Sequence, residues 1–119
     1  MSTKRILLIV RKPPGVVPDA WEALRFALSL YAADAPVTVA FEGLGVTNGM
    51  SRVAVEPTNA YSTRRLIHDL EGFGIPLYFA KEDLAAYPAS DGNLSSHARL
   101  IPREELAVLV AGHDVTIAF

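Results

Sequence analysis

Apolar residues in this chain alternate between two textures, short unbroken runs and longer stretches where they recur every third or fourth position. Ile6-Leu7-Leu8-Ile9-Val10 is apolar throughout. A strand with one wet face alternates, whereas a strand covered on both faces, as in a parallel sheet, does not. The run therefore predicts an interior strand. The next loop holds Pro13, Pro14, Gly15 and Pro18, then Asp19 and Glu22, where a helix can start with proline and carboxylates in its first turn. Trp21, Leu24, Leu28 and Tyr31 recur at helical spacing and should face the sheet, while Phe26 and Leu30 fall outside that stripe.

The same alternation continues. Val37 to Phe41 predicts a second strand, and Gly43, Gly45 and Gly49 mark an irregular segment reaching about Pro57. Thr58 or Asn59 can cap a second helix with Thr63, Leu66, Ile67, Leu70 and Phe73 inward and Arg64, Arg65, His68 and Asp69 outward. Gly72 and Gly74 are natural stops. Pro76 to Ala80 predicts a third strand, followed by a short helix from Lys81 to Tyr87 and a polar loop from Pro88 to Ser96. A short strand near Ala98 to Ile101 leads to Pro102-Arg103-Glu104-Glu105, a helix start, with Leu106, Leu109 and Val110 as its buried face. Val115 to Phe119 is the last predicted strand. Strands alternating with helices in this way predict one domain over residues 1–119, α/β in class. It is a three-layer α/β/α arrangement around a five-stranded, mainly parallel sheet.

Composition narrows the chemistry more than the fold. A chain of 119 residues, half of them hydrophobic, suffices for a single buried core. A net charge of −2 argues against binding nucleic acid through bulk electrostatics. The absence of cysteine excludes disulfides, thiolate metal sites and a cysteine nucleophile. The apolar run at the start is too short for a signal-peptide core or a membrane span, so a cytoplasmic protein with no membrane partner is expected. His68, His97 and His113 lack ligand spacing, so no metal and no cofactor are expected. His113-Asp114 resembles an acid–base pair only superficially, because neighbours entering a strand point to opposite sides. A turn in which Asp114 bonds backbone amides is the expectation.

Lys4 to Arg11, the helix pattern EALRFALSLYA, the junction Phe41-Glu42-Gly43-Leu44-Gly45-Val46 and the closing segments Glu105-Leu106 and His113 to Phe119 resemble the DsrE/DsrF-like family. The resemblance is nearest to the family's DsrF/TusC branch. It implies a subunit of a cytoplasmic sulfur-relay assembly, as in tRNA thiolation or sulfur oxidation. Such assemblies are trimers or hexamers, homomeric or built with paralogous DsrE-like chains. Active members carry sulfur on a cysteine after the third strand, and the matching position here is Ala80, or Phe79 if the alignment slips by one. Neither residue can hold a persulfide. The resemblance thus implies a non-catalytic, structural or interaction subunit with no catalytic residue of its own.

An alternative reading is a small-molecule or anion-binding domain, possibly an enzyme, using Arg11, Lys12 and Lys81 at the C-terminal strand ends. Helix-start carboxylates explain Glu82 and Asp83 without such a site. For an oligomeric contact, the surplus apolar residues Phe26, Leu30, Val46, Met50, Val53 and Val55 are the expected interface. The segments 47–57 and 88–96 match no motif.

Overall fold

Strands β1 (Ile6–Val10), β2 (Val37–Phe41), β3 (Leu77–Ala80), β4 (Ala98–Ile101) and β5 (Val115–Ala118) form one sheet in the order β4-β3-β2-β1-β5. The structure, a computed structural model, describes residues 4–15, 17–49, 63–87 and 98–119. Every pairing is parallel, with Leu8 of β1 between Val39 of β2 and Ile117 of β5. The unbroken apolar run of β1 is explained by that position, since Leu7, Leu8 and Val10 are fully buried.

Helices α1 (Asp19–Ala32), α2 (Arg64–Gly72), α3 (Lys81–Ala85) and α4 (Leu106–Ala111) make the crossovers, with 3-10 segments at Gly43–Gly49 and Arg103–Glu105. The chain moves from β1 to β4 in one direction across the sheet and returns past β1 to reach β5. Right-handed crossovers then put α1 and α2 on one face and α4 on the other. The core has Leu24, Val39, Phe41, Leu70 and Phe79 on the face that α1 and α2 cover, and Leu7, Ile9 and Leu106 on the face that α4 covers. The Phe41 and Phe79 rings stack at 4.4 Å, 7° from parallel, between neighbouring strands.

Several sequence expectations are corrected. Tyr31 and Phe73, assigned to inward stripes, are 42% and 52% exposed and stack on each other at 4.8 Å. They seal the junction between the C-terminal ends of α1 and α2, where both helices run out of sheet to cover. Leu30, expected outside the stripe, packs against the core instead. Val110, expected inside, is 41% exposed because α4 is only 6 residues long and buries chiefly Leu106. α2 begins at Arg64 after Thr63, and its expected caps Thr58 and Asn59 lie outside the described residues. Val46 is fully buried, because the segment after β2 folds down as a 3-10 turn rather than an exposed loop.

Candidate functional site

Open α/β sheets place ligand chemistry at the carboxyl ends of their strands, and here those ends carry a cluster of matched charges. Glu42 follows β2 directly, and its Oε2 accepts a 2.8 Å bond from Arg11 Nε, which follows β1. Glu42 N–H also donates to the carbonyl of Val10. Next along the edge, Gly43 takes φ +56, a conformation that suits glycine, and its N–H donates at 2.7 Å to Asp83 Oδ2. Asp83 belongs to α3 and is buried despite its charge. Its other oxygen pairs with Arg103, which stands just past β4. Arg103 N–H in turn donates at 2.8 Å to Glu82 Oε1. A cleft of about 370 Å³ opens between Arg11, Glu42, Gly43, Asp83 and Arg103.

This geometry gives Asp83 a structural task. A buried carboxylate is costly unless its oxygens are bonded, and both oxygens here are engaged, one by a backbone amide and one by a guanidinium. The result ties three strand-end loops together. A second knot lies beneath it. Asn48 is 2% exposed and donates through Nδ2 to the carbonyls of Lys12 (2.9 Å) and Gly45 (2.8 Å). Its Oδ1 accepts from Thr63 Oγ1 at 2.8 Å. That one amide joins the loop after β1, the 3-10 segment and the start of α2.

The backbone bond from Arg103, with help from its own amide and the nearby Arg103 and Lys81 charges, holds the Glu82 carboxyl below its ordinary value of 4.5. A depressed folded-state pKa contributes stability above the unfolded value, and that contribution is lost as pH falls through the folded one. Glu82→Gln should therefore melt lower than the parent above the ordinary carboxyl value of 4.5, with the gap closing as pH falls below it. Thermal melts across that range check it; a gap that is constant with pH would show that the Glu82 charge does not stabilise the edge.

Of the residues expected to bind an anion, Arg11 lines the cleft, but its guanidinium is matched by Glu42. Lys12 and Lys81 are exposed and do not line it. Sequence reading missed Arg103 as an edge cation and Asn48 as the buried tie. Nothing in the sequence marks Arg103 for this edge, because only the strand order brings the end of β4 beside β3. Ala80, at the position matched to the family's cysteine, has no exposed surface, and Phe79 is 1% exposed within the core. A thiol introduced as Ala80→Cys should label with a maleimide at least tenfold more slowly than the unfolded protein, as burial both shields a thiol and raises its pKa. Slow labelling weakens the match of this position to the family's cysteine, and a rate equal to that of the unfolded protein would support it.

Of the expected interface residues, Phe26 is 38% exposed, with its ring 6.4 Å from that of Phe119. Met50, Val53 and Val55, and His97, lie outside the described residues. Asp114 Oδ2 accepts from Arg5 N–H at 2.7 Å, the backbone role expected of it. His113 faces away from Asp114's bond, contacting the Leu109 carbonyl through Nδ1 (2.6 Å) and Thr38 Oγ1 through Nε2 (2.9 Å). It lines a larger hollow of about 640 Å³ with Arg5, Tyr31, Asp34 and Phe73. That hollow is at the amino ends of the strands, opposite the charged edge. Among the described residues no group of three histidines or carboxylates is placed to hold a metal ion, and no helix is long and apolar enough to cross a membrane.

No family model and no curated protein sequence matches the chain. Among solved structures, the crystal structure of the YchN protein from E. coli superimposes with a TM-score of 0.86 at 18% sequence identity, covering 98% of this chain and 100% of that one. With its five-stranded parallel sheet and flanking helices, the chain shares the DsrE-like α/β fold of YchN.

Proposed function

We propose that this protein is a non-catalytic DsrE/DsrF-like subunit, nearest the TusC/DsrF branch, serving as a structural or interaction partner in a cytoplasmic sulfur-relay assembly. The observation that carries the reading is the β3–α3 junction. Where active members of the resembling family hold sulfur on a thiol, this chain has the buried methyl group of Ala80. One helical turn further on, Asp83 is committed to Gly43 and Arg103. The groups at this edge satisfy one another, and no ionisable thiol stands among them to accept sulfur. A chain keeping the fold, with its strand-end loops locked rather than reactive, fits a role in assembly.

An assembly subunit must assemble. Light scattering at micromolar concentration is expected to give a trimer or hexamer, or a mixed complex when a cysteine-bearing DsrE-like chain is co-expressed. A soluble monomer in both experiments would overturn the reading.

A further inference from the structure

The two edges of the sheet are finished differently. At one edge, Arg99 of β4 lies over the Tyr78 ring at 5.6 Å and donates to its hydroxyl at 3.1 Å, placing a charge on the border strand. At the other edge, β5 reads Val115-Thr116-Ile117-Ala118, with no charge, proline or bulge. These are the devices that normally block pairing of an open edge. No described residue pairs with the outer side of β5.

Hydrogen bonding sets which groups the edge presents. Val115 N–H donates to Arg5 O, Phe119 N–H donates to Ile9 O, and Phe119 O accepts from Arg11 N–H. In a parallel ladder, alternate residues turn both backbone groups to the same neighbour. Val115, Ile117 and Phe119 therefore face β1, and Thr116 and Ala118 present their N–H and C=O groups outward. These two residues straddle Ile117 symmetrically. An antiparallel copy of the same strand, related by a two-fold axis at Ile117, sets Thr116 against Ala118 of its mate on either side of the axis. Each such pair exchanges both of its bonds, and the two Ile117 residues meet as a non-hydrogen-bonded pair.

The flanks suit the same contact. Val115 is 36% exposed, and Val108 and Val110 on α4, which leads into β5, are 68% and 41% exposed. On the α1 side, the half-open Phe26 ring lies against Phe119. Apolar surface thus borders the edge on the α1 side, and Thr116 and Ala118 are exposed without any like charge to repel a second copy. We infer that β5 is a self-pairing edge, joining two copies of this chain into one continuous sheet across a two-fold axis at Ile117. The inference stands without the sulfur-relay reading, since it uses only the strand's own groups.

Cysteine-free protein makes the test direct. Ile117→Cys should form a disulfide-linked dimer on mild oxidation, visible on a non-reducing gel, because residues opposite at a non-hydrogen-bonded pair approach closely. Thr116→Pro removes only an outward N–H, and Ala118→Lys puts a charge on the edge. Each should halve the mass seen by light scattering, with far-UV circular dichroism unchanged. Two substitutions guard against one that unfolds. The inference is overturned if the parent is a monomer, even one that pairs with a different chain. It is also overturned if the parent is a trimer, or if its mass survives both folded variants with Ile117→Cys left uncrosslinked.

Discussion

Replacing Gly45 with alanine is expected to cost about 3 kcal/mol of folding stability. This is a large share of the roughly 5–15 kcal/mol that holds a domain of this kind. A methyl group at that position would overlap the carbonyl oxygen of Val10 and lie 2.7 Å from its carbonyl carbon. The obstacle is backbone, which cannot swing aside as a side chain can. Nor can the 3-10 segment lift away freely, because Asn48 ties it to the Lys12 carbonyl and to Thr63, and Gly43 N–H is bonded to Asp83. Gly43→Ala is the control: its added Cβ meets nothing within 4 Å, so only the positive φ opposes it, at about 1 kcal/mol. Urea unfolding separates the two. Equal losses would mean that the 3-10 segment does not sit on β1 as described.

The second large effect is at Asp83. Asp83→Ala leaves the Gly43 amide and the Arg103 guanidinium without their shared acceptor, for an expected loss of about 2 kcal/mol. Asp83→Asn keeps an oxygen for Gly43 but loses the charge, and should fall between parent and alanine. Arg103→Ala should cost about 1 kcal/mol, less than either change at Asp83: the 59% exposed guanidinium contributes a water-screened pairing, but its loss leaves one oxygen of the buried carboxylate without a partner. The order alanine at 83, asparagine at 83, alanine at 103 is the signature of a carboxylate that organises the edge. A loss under about 0.5 kcal/mol for Asp83→Ala would deny it that role.

Asp83 owes its role to tertiary structure. Its position early in α3 was legible, and a helix-start carboxylate explained it locally. Its burial was not legible, because that depends on β4 returning beside β3 and bringing Arg103 with it. The strands were visible for a physical reason: residues covered on both faces must be apolar, and β1 leaves no other interpretation. Helix faces were less legible. Tyr31 and Phe73 sit at helical spacing with the core residues, but each lies where its helix overruns the sheet, so they stack on each other. Val46 looked like surplus apolar surface because its glycine neighbours suggested an open loop. The close approach that Gly45 permits draws that segment into the core. The charged edge was half legible: Arg11 and Lys81 were identified as cations near strand ends, but pairing of Arg11 with Glu42 needs the register between β1 and β2.

The most direct test is the native mass spectrum of the protein after exposure to a persulfide donor, which reads assembly and sulfur content together. The expected result is an oligomer whose subunits keep their unmodified mass. A chain that stays monomeric both alone and with a cysteine-bearing DsrE-like chain, or subunits heavier by multiples of one sulfur atom, would contradict a structural, non-catalytic role.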